Sequence, residues 1–302
     1  MKTKLGILGG GQLARMMLPH CLAWNVPVSV LDKQDCVCQS FCQDIRDGNF
    51  QSSEDVYNLF QDRDVVTMDL EAVSLEGLKK LEAKGVIVAP SSRVIELIQN
   101  KGRQKEFFKQ NDIPTMAFEI IKEVDSSLKP GFLKLLEGGY DGKGVFHYKG
   151  DFDSLPDSFK KNILWEQPCD VEEEYSLLVA RNGAGEIKCY DTTEMVFDPA
   201  LNLIAYTLYP ARISPEMNAK AKEMAAKVVT EMNAVGVFAV EMFKDKKGNL
   251  LVNECAPRPH NSGHHTIESC ETSQFENHLR GVLGLPLGST KRRSFALTFN
   301  LI

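Results

Sequence analysis

Apolar positions at the start of the chain come in short runs separated by stretches of helical period. Residues 4–8 form one run, a glycine-rich turn follows, and residues 13–24 then repeat with the period of a helix. A second run at 26–31 ends at Asp32, and further runs lie at 64–68 and 86–89, with a helical stretch at 75–84 between them. Strand alternating with helix predicts a doubly wound parallel sheet up to about residue 95. A helix over 93–110 then leads into a loop at 111–114. Beyond it the pattern changes. Runs at 118–122, 131–136, 145–148, 163–166, 175–181 and 187–193, joined by turns, predict an antiparallel α+β section. Ser214, Pro215 and Glu216 read as N-cap, first helical position and first-turn acid. Met217, Ala221, Met224, Val228 and Met232 follow as a core stripe, and the helix stops near Asn233, with Gly236 beyond. Strands at 238–243 and 250–255 flank Lys246-Lys247-Gly248-Asn249. No internal repeat or low-complexity segment interrupts the pattern.

Composition narrows the function classes. With 302 residues, 43% of them hydrophobic, the chain can bury cores for two or three domains. Its net charge of −6 and lack of a basic stripe argue against nucleic acid as a partner. No apolar run approaches a membrane span, and Gly9, Gly10, Gly11, Gln12 and Arg15 interrupt any signal-peptide core. The eight cysteines form no regular framework, which suits free thiols in a reducing cytoplasm. Cys36, Cys38 and Cys42 do not have a standard zinc spacing.

The densest chemistry lies at residues 253–266, NECAPRPHNSGHHT. Two prolines and a glycine keep this run out of a regular helix, and it follows a short apolar strand. Cys255, His260, His264 and His265 admit a zinc reading, but Asn261, Ser262 and Gly263 favour a loop, so His260 and His264 would not share a helix face. The Arg258 fork suits phosphate or carboxylate better. His265 reads as a loop-structuring residue. Glu241 and Glu254 are the sharper expectation. A hairpin closed by a two-residue turn at Lys247-Gly248 would set them directly opposite each other, which is destabilising unless a cation sits between them. Mg2+ commonly binds through one or two carboxylates plus substrate phosphates, and the adjacent Asn253 would join or orient that shell.

Two glycine loops suggest phosphate binding. Residues 9–14 match G-x-G-x-x-A with Asp32 ending the next strand, a pattern shared by dinucleotide sites, ribonucleotide-phosphate sites and plain structural turns. Residues 138–144, GGYDGKG, carry four glycines and Lys143 but not the P-loop spacing, and Lys134 precedes them on a strand. The strand at 163–166 runs into Gln167-Pro168, with acids at Glu172, Glu173 and Glu174. Such an edge can pair with an adenine while a carboxylate takes ribose hydroxyls, although most of the acid cluster reads as a solvated face.

With these motifs in order, the chain resembles the ATP-grasp superfamily and, within it, the N5-carboxyaminoimidazole ribonucleotide synthetase family. The resemblance is carried by GILGGGQLARM at residues 6–16, GGYDGKG, Glu166-Gln167, NECAPRPHNSGHHT and SQFENHLR at residues 273–280. It implies a pre-ATP-grasp Rossmann-like domain at residues 1–97. An ATP-grasp fold of two α+β lobes would follow, the small lobe at 98–168 and the large one at 169–302. It implies ATP and Mg2+ as cofactors, bicarbonate and 5-aminoimidazole ribonucleotide as substrates, and a cytoplasmic homodimer. Carboxyphosphate would deliver the carboxyl group, with no covalent protein nucleophile. Carried over residue by residue, Lys101, Lys134, Gly139, Tyr140, Asp141, Gly142, Lys143 and Gly144 would meet the phosphates. Glu166, Gln167, Pro168 and Cys169 would edge the adenine, Glu174 would take the ribose, and Asn253 would sit beside the Mg2+ ligands Glu241 and Glu254. Arg258 and His260 would be catalytic. Arg258, Asn261 and His264 would line the carboxylation site, and Gly11, Gln12, Leu13 and Glu71 would meet the ribonucleotide. Asn100-Lys101 replaces a usual Asp-Arg pair, Asp69-Leu70-Glu71-Ala72 replaces E-F-E-N, and Leu135, Leu136 and Glu137 replace polar or basic residues. Phe197 stands where a histidine is expected, and relatives continue for several tens of residues past the last strand, so a C-terminal part is expected to be missing here. A related ligase acting on another amine or carboxylate, and a degenerate nucleotide-binding protein without turnover, are the competing expectations.

Overall fold

The computed structural model describes residues 2–138, 144–198 and 203–299. Its first section alternates strand and helix: β1 (Leu5–Leu8), α1 (Gln12–Ala23), β2 (Val28–Asp32), β3 (Ile45–Asp47), α2 (Ser53–Phe60), β4 (Val65–Met68), α3 (Leu75–Lys84) and β5 (Ile87–Val88). All five strands are parallel, in the order β3-β2-β1-β4-β5. β1 and β4 are buried along their whole length, as a sheet covered on both faces requires. Strand β3 and helix α2 went unpredicted, although Ser52 caps α2 by accepting from the Asp55 amide and Glu54 and Asp55 fill its first turn.

The helix expected at 93–110 is two helices, α4 (Ser92–Gln99) and α5 (Lys101–Gln110). Asn100 between them is extended (φ −113°, ψ 109°), and its side chain accepts from the Arg103 amide, 3.0 Å away, to start α5. The break sets Lys101 at the head of a helix, where its own amide donates to the Leu136 carbonyl at 2.8 Å.

Strands β6 (Phe118–Glu123), β7 (Gly131–Leu135), β8 (Val145–Tyr148) and β9 (Lys161–Glu166) form an antiparallel sheet in the order β6-β9-β7-β8. β9 therefore lies inside the sheet and is not the free edge that its sequence suggests. A third, larger sheet follows. It contains β10 (Val171–Arg181), β11 (Ile187–Cys189), β12 (Thr193–Asp198) and β13 (Leu203–Tyr209), and after α6 (Pro215–Glu231) come β14 (Gly236–Asp245) and β15 (Leu250–Ala256). The short α7 (Thr266–Ser269) and α8 (Gln274–Val282) precede β16 (Ala296–Phe299). Strand order is β15-β14-β10-β12-β13-β16, with β11 on β10. The single run expected at 187–193 is split between β11 and β12, and β13 was not predicted.

Helix α6 begins as its sequence directs: the Ser214 hydroxyl accepts from the Met217 amide and Pro215 opens the first turn. Ala221, Met224, Val228 and Met232 are buried against Phe238, Val240 and Val252, and Met217 lies at the margin of the same core. Cys38 and Cys42 sit in the N-terminal core beside Leu5, Ile7 and Met17, with Cys36 at its edge. No helix among the described residues is long and apolar enough to cross a membrane.

Two polar contacts tie the first sheet to the third. His278 is fully buried on α8; its Nε2 lies 2.8 Å from the Thr67 hydroxyl of β4, and its Nδ1 accepts from the Val237 amide of β14. Arg258, just past β15, pairs with Glu71, just past β4.

Candidate active site

The site forms where the C-terminal ends of β1 and β4 meet the end of the β14–β15 hairpin. Glu241 and Glu254 face each other across that hairpin, as expected. The route to this register differs from the expectation. The connection is a three-residue loop, Lys246-Lys247-Gly248, with the Asp245 amide donating to Asn249 and Gly248 in the left-handed region (φ 81°). That loop leaves the strands one residue out of step with a two-residue turn. An irregularity at Asn253, between the Met242–Val252 and Glu241–Glu254 pairs, restores the offset. It acts as a β-bulge and re-aims side chains. Asn253 Oδ1 accepts from Lys134 Nζ at 3.0 Å, and Glu254 Oε2 accepts from Lys101 Nζ at 2.5 Å, so two consecutive residues both bond site lysines.

The two carboxylates have unequal partners. Burial opposes ionisation of Glu254, but Lys101 and then Lys134 override it and hold its carboxyl down to about 2. Burial, then the Glu254 and Glu174 charges, push Glu241 up to about 8. Its nearest cationic candidate, His260 Nε2, is 3.6 Å away. Burial and the neighbouring Arg258 push that imidazole down to about 4, so it is neutral at pH 7 and offers Glu241 no charge.

Lys134 on β7 also meets Glu166 at 2.7 Å, and Lys105 on α5 meets the other Glu166 oxygen at 2.8 Å. The triad is nearly inaccessible, with Glu166 3% and Lys105 2% exposed. The Glu166 side chain thus holds two lysines and does not edge a base. Past β9, the Gln167 amide donates to Ala117 and the Cys169 carbonyl accepts from Val171, leaving residues 167–169 as a short rim with part of its backbone already bonded. Glu174, on β10, is pushed up to about 7 by burial. Its neighbours Glu172 and Glu173 both pair with Lys244.

The N-terminal glycine loop departs most from expectation. The Gly10 amide donates to Asp32 Oδ2 at 2.7 Å and the Gly11 amide to Asp69 Oδ2 at 2.8 Å. The chain's own carboxylates thus occupy the Gly10 and Gly11 amides. A Cβ on Gly9, which has φ +89°, would lie 1.9 Å from Asp69 Oδ1, so that carboxylate has no room beside anything larger than glycine. Gln12 is exposed at the helix start, while Leu13 leans on the N-terminal core.

Across the site, Arg258 Nε donates to Glu71 Oε2 at 2.6 Å. Burial raises the Glu71 carboxyl, but Arg258 outweighs it and leaves it below the usual range. His260 is fixed through its backbone by Gln274, which accepts from the His260 amide at 2.9 Å and donates to its carbonyl at 2.7 Å. Its Nδ1 lies 2.9 Å from the Ser262 hydroxyl. His264 leans on Phe275 and Asn261 is exposed. His265 turns away, stacked on Tyr209 and bonded to Thr193 and Ser269, which makes it structural. Cys255 is buried with its amide bonded to Gln104, and it does not join the histidines in a metal cluster among the described residues. The expected phosphate residues Gly139, Tyr140, Asp141, Gly142 and Lys143 lie outside the described residues. Gly144 follows them, and its carbonyl accepts from the Leu135 amide.

Sequence reasoning missed Lys105, Gln104, Asp69 and Gln274, four polar residues that are nearly or fully buried. Only Asp69 and Gln274 lay in motifs already singled out.

A ribonucleotide synthetase preATP-grasp domain family matches residues 1–99, and the ATP-grasp domain family matches residues 106–275. An N5-carboxyaminoimidazole ribonucleotide synthase of Bacillus subtilis is 33% identical over 312 residues, covering 99% of this chain and 80% of that protein. The chain belongs to the ATP-grasp N5-carboxyaminoimidazole ribonucleotide synthetase family. A chloroplastic phosphoribosylaminoimidazole carboxylase of Vigna aconitifolia is 36% identical, and the chain spans 99% of its own length and 55% of that protein's. The solved N5-carboxyaminoimidazole synthase of Aspergillus clavatus, in complex with ADP and 5-aminoimidazole ribonucleotide, superposes with a TM-score of 0.91 at 32% identity, over 100% of this chain and 82% of that one. Beside Lys101, Asn100 Nδ2 donates to Glu137 Oε1 at 3.0 Å.

Proposed function

We propose that this chain carboxylates the amino group of 5-aminoimidazole ribonucleotide with ATP and bicarbonate, releasing ADP and phosphate. The observation that carries the reading is the facing pair Glu241–Glu254, with Lys101 bonded to Glu254, Lys134 bonded to the adjacent Asn253, and His260 beside Glu241. Two adjacent carboxylates served by one close ammonium are short of positive charge, and hard oxygen donors of this kind fit Mg2+. Glu241 and Glu254 would hold the ion, which supplies neutralisation of phosphate charge when bound. Lys134, Lys101 and residues 139–144 would steady the ATP phosphates. Residues 166–169 would border the base through backbone groups, Glu174 would reach the ribose, and Asn253 would hold Lys134 in place.

Arg258 offers an anion-binding fork to bicarbonate or its phosphorylated form once Glu71 turns to the ribonucleotide. His260, neutral at pH 7, can accept the proton that the substrate amine loses on carboxylation. Asn261 and His264 would line this half of the site, and Gly11, Gln12 and Leu13 would border the ribonucleotide. Domain limits near residues 97 and 168 belong to the same reading, supported by the first sheet ending at Val88 and the third beginning at Val171. A cytoplasmic homodimer is part of the same reading, supported by the resemblance and by eight free cysteines.

The test is ADP release by the purified chain with ATP, Mg2+ and bicarbonate. Release that depends on the ribonucleotide supports the reading. Turnover only with another acceptor, or nucleotide binding without turnover, overturns it.

A further inference from the structure

The metal-binding carboxylates already have a cation, and it belongs to the protein. Lys101 Nζ sits 2.5 Å from Glu254 Oε2, on a side chain only 20% exposed. Its position is fixed from both sides. The Asn100 cap starts α5 at Lys101, and the Lys101 amide is bonded to Leu136 at the end of β7. Lys134 has other commitments, to Glu166 and Asn253, and Lys105 is committed to Glu166 and Thr115. Of the site's lysines, Lys101 alone forms an ion pair with the facing carboxylates among the described residues.

We propose that Lys101 is a resident stand-in for the divalent cation: it occupies Glu254 in the free protein and is released to the nucleotide phosphates when the metal–nucleotide complex arrives. This rests on the metal assignment above. A divalent ion arriving alone has to break the Lys101–Glu254 pair and leaves a buried ammonium without a partner, which is costly. An ion arriving with ATP or ADP brings phosphate oxygens that take the ammonium over, so each ligand tightens the other by the same factor. A methionine at this position would remove the competition, whereas an arginine would keep the charge and hence the competition.

The experiment measures Mn2+ binding at neutral pH by electron paramagnetic resonance, with and without ADP, for the parent chain and for Lys101→Met, Lys101→Arg and Glu254→Gln. Lys101→Met is expected to bind free Mn2+ about tenfold more tightly than the parent, in line with loss of one competing ion pair. ADP should enhance Mn2+ binding strongly in the parent and in Lys101→Arg, and far less in Lys101→Met. Equal affinity of the parent and Lys101→Met for free Mn2+, with Glu254→Gln binding poorly, overturns the stand-in role and leaves the metal site intact. Unchanged Mn2+ binding by Glu254→Gln overturns the metal assignment itself. Lys101→Gln serves as the second neutral variant if Lys101→Met fails to fold.

Discussion

The glycine loop after β1 and the end of the β14–β15 hairpin both look like ion sites in sequence, yet they differ in what is left unpaired. At the loop, Asp32 and Asp69 cap the Gly10 and Gly11 amides, so each donor already has its acceptor. At the hairpin, two carboxylates face each other with one lysine paired to Glu254, and burial with the Glu254 and Glu174 charges pushes Glu241 up to about 8. A binding site is marked less by its residue types than by an imbalance that only a ligand removes.

Four measurements can break or sharpen this contrast. Glu254→Gln removes the ionised acid of the imbalanced region and is expected to lower ribonucleotide-dependent ADP release by roughly a thousandfold. A loss of less than about tenfold would mean the pair is not the metal site. Lys105→Met leaves Glu166 buried with a single cation, and chemical denaturation should show a loss of about 3 kcal/mol. An unchanged midpoint would show that Lys134 alone satisfies Glu166.

The third measurement concerns histidines away from both regions. Burial pushes His278 down to about 3, and burial together with His264 does the same for His265. The unfolded imidazoles titrate near 6.5, so the stabilisation is present above that pH and is lost as the pH falls toward 3. At pH 5, unfolding should take up about two protons through this pair, a slope of about 2.7 kcal/mol per pH unit. His278→Gln should remove about half of it. The smallest effect is expected at the balanced loop. Asp32→Asn should cost about 1 kcal/mol in stability and leave the KM for the ribonucleotide within about twofold. A tenfold rise in KM would return the loop to the substrate.

Features that depend on neighbours in sequence were legible. Helix α3 spans the residues read for it, β8 does too, and Ser214-Pro215-Glu216 starts α6 as its chemistry dictates. Features set by distant partners were not. Nothing near Gly10 announces that Asp32 turns back on its amide, and nothing in residues 93–110 shows apolar periodicity failing at Asn100, where one side chain bonds the Arg103 amide and splits the helix. Lys105 looked like any lysine on a polar helix face until β9 brought Glu166 to it. The Glu241–Glu254 pair was found through a turn one residue too short, and the irregularity at Asn253 cancelled the error.

That irregularity also bears on how this chain would tolerate a change of loop length. It lies between the loop at Lys246-Lys247-Gly248 and the carboxylates, so it separates loop length from active-site alignment. A residue added at the loop tip can bulge into solvent and leave the pairs from Leu250 to Glu254 in register, whereas a slip of Leu250–Val252 would turn two core side chains outward. The tip of the hairpin is therefore a place where the chain can lengthen or carry a tag while the two acids stay opposite each other.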